Sequence, residues 1–281
     1  AHAIDGVAMV KFLKWLEETV GNEPVTELSA ARRLLEFRQE GEGFVGPSFP
    51  TISGYGAHGA IVHYSVTEAS DIPIGTDSLY LVDSGGQYLF GTTDITRTLC
   101  FGSPTDDQRE MFTRVLKGHI ELSTLSFPEG VNGQHIDLAA RRPLWEVGRN
   151  YLHGTGHGIG HYLNVHEGPI SISLRAPDVK LVEGHVLSNE PGYYENGGYG
   201  IRTENLVTVV PDDSRSTDAQ KFLKFETLTR CPIGTALIQR DVLGDGAIAW
   251  LNTFHATVRD DLTPMLDSCT ADWLYDKTEP I

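Results

Sequence analysis

Four acidic residues stand in apolar, strand-like surroundings. Asp83 ends the run Leu-Tyr-Leu-Val-Asp, and Asp94 lies within Gly-Thr-Thr-Asp-Ile-Thr-Arg-Thr. Glu190 follows Val-Leu-Ser-Asn, and Glu204 lies within Gly-Ile-Arg-Thr-Glu-Asn-Leu-Val. Aspartate is a poor strand residue, and a buried carboxylate is costly unless it pairs, changes its protonation or binds a metal ion. The four acids together therefore indicate a common functional site.

Histidines in glycine-rich or strand-like settings accompany these acids. The run His-Gly-Thr-Gly-His-Gly places His153 and His157 in a flexible backbone, while His166 and His63 follow short apolar runs. A single histidine or aspartate is more often a turn, surface or hydrogen-bonded residue, so the interpretation depends on the combination. Two acids alone would also suit a glycosidase. Four acids with histidine favour a pair of metal ions instead.

Such a donor set predicts a particular class of metal chemistry. Four carboxylates and one imidazole suit Mn²⁺, Mg²⁺ or Co²⁺ better than a thiolate-type zinc site. Two such ions share a water and lower its pKa from about 15.7 toward about 7, so hydroxide is available at neutral pH. We therefore expect a hydrolase with a dinuclear centre.

Strands and turns must bring these side chains together. Asp83 and Asp94 flank a turn, and Glu190 and Glu204 flank a glycine- and tyrosine-rich loop, so each pair could come from a hairpin. We predict strands over 49–53, 60–64, 79–99 (a hairpin or meander), 185–189 and 201–210. Apolar periodicity predicts helices over 7–19, capped by Asp5, and over 26–40, 106–124, 134–147, 235–242 and 247–260.

The composition limits the fold and the partners. The chain has 281 residues, 40% of them apolar, and a net charge of −16. With no internal repeat and no low-complexity linker, we expect one domain over 1–281. The acidity argues against nucleic acid and anionic membrane surfaces as binding partners. No apolar run reaches the length of about 18 residues that a membrane span needs.

Cys100, Cys231 and Cys269 are too few and too scattered for a disulfide framework, which fits a reducing compartment.

Eight motifs in this order resemble the C-terminal catalytic domain of the X-prolyl aminopeptidases (aminopeptidase P) of the eukaryotic cytosolic type, in peptidase family M24. The resemblance covers most of the chain from Ala3 onward. The motifs are Phe-Pro-Thr-Ile-Ser at 49–53, Gly-Ala-Ile-Val-His-Tyr at 59–64, Val-Asp-Ser-Gly at 82–85, Gly-Thr-Thr-Asp-Ile-Thr-Arg-Thr at 91–98, His-Gly-Thr-Gly-His-Gly at 153–158, Asn-Val-His-Glu-Gly-Pro at 164–169, Glu-Pro-Gly-Tyr-Tyr at 190–194 and Gly-Ile-Arg-Thr-Glu-Asn at 200–205.

The resemblance implies an α+β pita-bread (creatinase-like) fold, with a curved, mostly antiparallel sheet flanked by helices. It also implies five metal ligands. Asp94 and Glu204 would bridge two divalent ions, Asp83 would complete one of them, and His157 with Glu190 would complete the other.

The resemblance further implies roles for four residues that are not ligands. His63, His153 and His166 would hold the peptide and carry protons to the leaving proline nitrogen, which belongs to a tertiary amide and must be protonated to leave. Arg202 would brace the site by pairing with a carboxylate.

The implied activity is hydrolysis of the N-terminal X-Pro bond of peptides with proline at position 2, with Mn²⁺ as the expected metal. We also expect a cytoplasmic homodimer in which 1–281 is the C-terminal domain of a longer, three-domain chain. The alternatives are a prolidase-type X-Pro dipeptidase, which cleaves only dipeptides, and a catalytically inactive pita-bread module that binds partners. Methionine aminopeptidase shares the ligands but lacks much of the surrounding sequence.

Three positions depart from the family pattern. His58 stands where asparagine is usual, and Asn189 stands where aspartate is common. His161-Tyr162 replaces a smaller pair. None of these departures removes an implied ligand. We expect Asn189 to alter metal affinity slightly through the missing negative charge, and His58, His161, His119 and His135 to lie at the surface or behind the ligands.

Overall fold

The structure is a computed structural model that describes all residues from Ala1 to Ile281. The helices are α1 (His2–Thr19), α2 (Glu27–Gln39), α3 (Asp106–Ser123), α4 (Gly133–Trp145), α5 (Arg240–Leu243), α6 (Asp245–Leu262) and α7 (Ser268–Lys277), with 3₁₀ turns at Gly56–Ala60 and Thr263–Met265. The strands are β1 (Phe44–Pro47), β2 (Ile52–Tyr55), β3 (Leu79–Ser84), β4 (Gly86–Tyr88), β5 (Gly91–Thr92), β6 (Ile95–Cys100), β7 (Ser126–Pro128), β8 (Gly156–His157), β9 (Ser171–Ile172), β10 (Val186–Asn189), β11 (Gly192–Glu195), β12 (Tyr199–Arg202), β13 (Asn205–Pro211) and β14 (Phe222–Thr227).

Every strand pair is antiparallel. The two sheets that matter most for the site have the strand orders β2-β3-β6 and β10-β13-β14-β7. Smaller sheets have the orders β1-β4-β5, β11-β12 and β8-β9. The combination of antiparallel sheets with helices packed against them confirms the predicted α+β class.

Apolar side chains on the helices pack against the sheets in three clusters. Each cluster joins helices to buried residues of particular strands. Representative members are Leu16, Leu34 and Val82 for α1, α2 and β3; Phe112, Ile201 and Leu251 for α3, β12 and α6; and Ile136, Leu187 and Val207 for α4, β10 and β13. No helix combines the length and apolar composition that crossing a membrane requires.

Side-chain caps explain why three helices begin close to where they were predicted. Thr26 Oγ1 accepts a hydrogen bond from Ser29 N at 3.1 Å, and Ser29 Oγ accepts one from Thr26 N at 2.7 Å. Thr105 and Asn132 form similar capping boxes at the starts of α3 and α4. Such reciprocal bonds satisfy amide groups that have no partner within the helix.

The predicted capping role of Asp5 is wrong. Helix α1 begins at His2, and Asp5 lies inside it, buried. Its carboxylate accepts hydrogen bonds from Arg38 Nε at 2.8 Å, Arg38 Nη2 at 3.2 Å and Tyr88 Oη at 2.8 Å. Asp5 therefore joins α1, α2 and β4 through a buried ion pair.

No strand forms over 60–64, where one was predicted, because tertiary contacts hold this segment as a loop. That segment follows the 3₁₀ turn Gly56–Ala60 and forms a turn itself, so His63 lies on a loop. The loop is held by the buried carboxylate of Glu27. His58 Nδ1 lies 3.0 Å from both Glu27 oxygens, and Tyr64 Oη donates to Glu27 Oε2 at 3.1 Å.

The strand predicted over 201–210 is two strands. Strand β12 ends at Arg202 and β13 begins at Asn205, because Glu204 N leaves the ladder and donates to Thr96 O at 3.2 Å. The strands β1, β7, β11 and β14 were not predicted. The first predicted strand lies later, at Ile52–Tyr55, the predicted helix over 235–242 is reduced to α5, and α7 was not predicted.

The Asp5–Arg38 pair predicts a large and pH-dependent loss of stability on substitution. Asp5→Asn would leave the Arg38 guanidinium buried without an anionic partner, which lowers the free energy of unfolding by about 3–5 kcal/mol. Urea denaturation at neutral pH measures this loss. Glu18→Gln, in the Lys14–Glu18 surface pair, is the control and should change stability little.

The sign of the pH dependence follows from the pKa of Asp5. Burial would raise this pKa, but the charge and hydrogen bonds of Arg38 outweigh it, so the pKa lies below its ordinary value. The stabilisation is therefore present above the unfolded-state pKa and is lost as the pH falls through the folded-state pKa. The difference between wild type and Asp5→Asn should narrow below about pH 4. A constant difference at lower pH would contradict this assignment.

Candidate metal centre

The ends of several strands converge on one cleft of about 660 Å³. Every residue for which the family resemblance implied a role lines this cleft. These residues are His63, Asp83, Asp94, His153, His157, His166, Glu190, Arg202 and Glu204.

Antiparallel pairing brings the two aspartates together as the hairpin pattern predicted. Asp83 on β3 lies opposite Thr96 on β6, and Ser84 lies opposite Ile95. Asp94 immediately precedes β6, so it stands at the same end of the sheet as Asp83.

The two glutamates meet in the same way at the other sheet. Asn189 at the end of β10 pairs with Asn205 at the start of β13. Glu190 follows the first of these residues and Glu204 precedes the second, so both leave the ladder at one end. The amide of Glu190 then donates to Thr155 O at 2.8 Å, which holds it beside the histidine loop.

A close approach between β8 and β10 places His157. A Cβ atom at Gly156 would lie 2.0 Å from Ser188 O, so only glycine permits this approach. His157 N donates to Ser188 Oγ at 2.9 Å. Its Nδ1 lies 3.0 Å from Gly158 O and therefore carries the proton, which leaves the Nε2 lone pair facing the acids.

Acceptor atoms of the acids and of His157 lie close together in the cleft. His157 Nε2 lies 3.5 Å from both Asp94 Oδ2 and Glu190 Oε1. Potential ligand atoms of Asp94, His157 and Glu204 lie within 4.8 Å of one another. Asp83 Oδ1 and Glu204 Oε1 are buried with no hydrogen-bond partner. Acceptors gathered with too few donors fit bound cations, because a cation satisfies several of them at once.

The electrostatics of the acids support the same reading. Burial and then the charges of neighbouring acids raise the pKa of Asp94 and Glu204 well above their ordinary values. Burial raises the pKa of Glu190 to about 7. A divalent cation reverses this effect by stabilising the ionised forms. The oxygen-rich set with one imidazole could therefore hold two hard divalent ions.

Arg202 braces the site through a carboxylate, as the resemblance implied. Its Nη2 donates to Asp83 Oδ2 at 2.6 Å, and its Nε donates to Thr96 Oγ1 at 3.2 Å. Thr96 Oγ1 donates in turn to Glu204 Oε2 at 2.6 Å. Sequence reasoning missed Thr96, although strand alternation places it on the same face as Asp94, two residues earlier.

The three histidines that are not implied ligands differ in their surroundings. Tyr194 Oη accepts from Arg202 Nη1 at 2.7 Å, so its proton goes to His153 Nε2 at 2.8 Å. His153 Nδ1 lies 2.8 Å from Gly154 O, and burial lowers the pKa of His153 to about 3. His153 is therefore neutral, with both nitrogens occupied. The rings of His63 and His166 have no hydrogen-bond partner in the protein.

The four remaining histidines discussed above lie outside the cleft lining. His58 pairs with Glu27 and stacks on Tyr64 at a ring distance of 4.4 Å, so it supports the loop that carries His63. His161 is exposed, and His135 completes the cap of α4. His119 is fully buried against Asn189 and Asn205, so it lies behind the implied ligands, which is one of the two expected positions. Burial lowers its pKa to about 3.

Comparison with protein-family models identifies the family to which this chain belongs. The model of metallopeptidase family M24 matches residues 1–211, and that of the C-terminal region of peptidase M24 matches residues 221–281. The chain belongs to metallopeptidase family M24. The cleft of acids and histidines therefore belongs to an M24 metallopeptidase chain.

Two comparisons with solved structures confirm the expected pita-bread fold of this M24 chain. One is with the X-prolyl aminopeptidase of Caenorhabditis elegans, described as a cytosolic enzyme with a dinuclear active site. Its sequence is 38% identical and the TM-score is 0.95. The match covers 100% of this chain and 46% of the C. elegans chain. The other is with the Xaa-Pro dipeptidase of Bacillus anthracis, which is 27% identical with a TM-score of 0.70. This match covers 85% of this chain and 61% of the B. anthracis chain.

A curated M24 relative is aminopeptidase P2 of Arabidopsis thaliana. It is 47% identical over 285 residues, which cover 100% of this chain and 40% of the relative. The chain thus spans less than half the length of the curated relatives it matches.

The Thr96 contacts predict a change in metal affinity on substitution. Thr96→Val keeps the branched shape but removes the hydroxyl that links Arg202 to Glu204. We expect the Kd for Mn²⁺ to rise about 10–100-fold, the usual effect of losing a group that orients a ligand. Isothermal titration calorimetry measures it. Thr208→Val, in β13 but without a contact to the acids, is the control. An unchanged Kd in Thr96→Val would exclude this role.

Proposed function

We propose that this chain is the catalytic part of a metal-dependent aminopeptidase that hydrolyses the N-terminal X-Pro bond of peptides. The observation that carries the proposal is one cleft in which four carboxylates and His157 converge beside two histidines with free ring nitrogens. The identity of 38–47% to an X-prolyl aminopeptidase and an aminopeptidase P2 over the whole chain supports the same class.

We assign the metal-holding role to the acceptor cluster. Asp94 and Glu204 lie at its centre and would hold both ions, with Asp83 on one side and His157 and Glu190 on the other. Two bound divalent ions would supply a Lewis acid for the scissile carbonyl and a water of lowered pKa. The carboxylate-rich donor set supports Mn²⁺ as the metal.

His63 and His166 are assigned to the peptide and its protons. Both residues line the cleft and their rings have no hydrogen-bond partner in the protein, so they can contact a bound peptide and deliver a proton to the departing proline nitrogen. His153 has both nitrogens bound by Tyr194 and Gly154, so its proposed role is to position the cleft wall. Arg202 holds Asp83 and, through Thr96, Glu204.

The wider predictions have support of different kinds. The net charge of −16 supports the exclusion of nucleic acid and of anionic membranes as partners. The homodimer and the cytoplasmic location stay predictions. Light scattering of the purified chain at several concentrations would test the dimer.

The division of roles predicts different effects for three histidine substitutions. His157→Ala should lower the metal content, since it removes a ligand. His63→Ala and His166→Ala should keep the metal but lose about 10²–10⁴ in kcat, the usual contribution of a general acid or base. Elemental analysis and turnover of an X-Pro tripeptide measure the two effects. His185→Ala, outside the cleft, is the control, and equal metal loss in all three variants would refute the division.

Substrate series distinguish the proposed activity from its nearest alternative. Arg-Pro-Pro should exceed Arg-Ala-Ala in kcat/KM by about 10–200-fold, the usual worth of a shaped apolar pocket. A prolidase-type enzyme would instead hydrolyse the dipeptide Arg-Pro and not the tripeptide. An inactive binding module would hydrolyse none of the three with Mn²⁺ added. Similar rates for Arg-Pro-Pro and Arg-Ala-Ala would exclude proline specificity.

A further inference from the structure

A buried arginine lies behind the metal-binding cleft without a carboxylate partner. Arg97 is 2% exposed, and all five of its N–H groups donate to oxygen atoms of the protein. Nη1 donates to Thr96 O at 2.9 Å and Glu204 O at 2.6 Å. Nη2 donates to Asn205 Oδ1 at 2.8 Å, and the remaining bonds go to the carbonyls of Cys231 and Pro232.

The hydrogen bonds continue from Arg97 across to helix α3. Asn205 Oδ1 accepts from Arg97, so its amide nitrogen faces His119 Nε2 at 3.2 Å. His119 Nδ1 lies 3.1 Å from the carbonyl oxygen of Asn189. Only one assignment satisfies both contacts of a neutral imidazole, with Nδ1 as the donor and Nε2 as the acceptor.

Every bond in this chain of contacts therefore has a defined direction. It runs from Arg97 to Asn205, from Asn205 to His119 and from His119 to the Asn189 carbonyl. Reversing the Asn205 amide would place its nitrogen against the guanidinium and its oxygen against the His119 lone pair. The network thus permits a single arrangement of these side chains.

The network joins three segments that carry implied ligands. Arg97 Nη1 links the main chain of β6, two residues after Asp94, to that of Glu204. His119 links the Asn205 end of the network to Asn189, which immediately precedes Glu190. Asn189 is held a second time, because its amide nitrogen donates to His119 O and Ser123 Oγ, both at 2.9 Å.

These contacts also explain the side chain of Asn189. Strand alternation turns it away from the acids and toward α3, opposite to its neighbour Glu190. An aspartate could not donate to His119 O and would bring a charge into a fully buried position. Asn189 therefore helps to place the strand end, and the expected effect of the missing charge on metal affinity stays a prediction.

We infer that Arg97, Asn205 and His119 are positioning residues of the metal centre, which hold Glu190 and Glu204 at the separation that two divalent ions require. The inference rests on the proposed metal-binding function. Both acids lie beside strand ends, and without this network their mutual repulsion would move them apart. A fixed main chain opposes that separation before the ions bind.

Substitution of Asn205 tests the direction of the network. Asn205→Asp has nearly the same shape and can still accept from Arg97, but it cannot donate to His119 Nε2. We expect the Kd for Mn²⁺ to rise about 10–100-fold in a folded protein. Calorimetry with Mn²⁺ alone gives the Kd, and the visible absorption spectrum of bound Co²⁺ should shift because the ligand geometry changes.

Two further variants separate positioning from charge and from general stability. Arg97→Lys keeps the buried positive charge but loses the planar set of donors, so a similar loss of affinity indicates positioning. Thr113→Val is the matched control, since it removes a buried hydroxyl from the same helix α3 that bonds only to Arg109, Leu237 and Gln239. It should leave the Kd and the Co²⁺ spectrum unchanged.

The outcomes are distinguishable. Near-ultraviolet circular dichroism shows which variants fold. If Asn205→Asp does not fold, Arg97→Lys becomes the decisive variant. A wild-type Kd and Co²⁺ spectrum in a folded network variant would overturn the inference while leaving the proposed function intact. An equal loss of affinity in Thr113→Val would also overturn it. Failure of the wild-type chain to bind Mn²⁺ or Co²⁺ would overturn both proposals.

Discussion

The constraint on which this structure depends is the repulsion among four carboxylates in one largely buried cleft. Burial and mutual charge favour the protonated forms of Asp94, Glu190 and Glu204, and two buried oxygen atoms of Asp83 and Glu204 have no donor. The donors that reach these two carboxylates, Arg202 and Thr96, bond to the other oxygen of each. Two bound cations would satisfy these oxygen atoms and stabilise the ionised forms, so under the proposed function metal binding and the local structure are coupled.

The surrounding elements hold the acids where repulsion would otherwise separate them. Each acid lies at or beside the end of a paired strand, where the ladder fixes the main chain and frees the side chain. Arg202 neutralises Asp83 directly, and Thr96 connects Arg202 to Glu204. The close packing of Gly156 on β10 turns the free nitrogen of His157 toward the same point. The scaffold thus favours the geometry before any ion binds.

Apolar periodicity predicted α2, α3 and α4 well, because the apolar face of a helix is a local feature of the sequence. The predictions were wrong where residues distant in the sequence determine the local structure. Asp5 looks like a cap in sequence but pairs with Arg38, and the 60–64 segment looks like a strand but is held as a loop by Glu27. The break at Glu204 has the same origin, since its amide bonds to Thr96 on another sheet.

The sequence by itself determined the α+β class, the acids and histidines that line the cleft, and the family, because strand-embedded acids and ordered motifs are local and specific. Only the tertiary structure decided which histidines have free nitrogens, and how Thr96 and Arg97 connect the ligand-bearing strands. The physical reason is that hydrogen-bond direction depends on partners about a hundred positions away along the chain, as for Thr96 and Glu204. No local pattern contains that information.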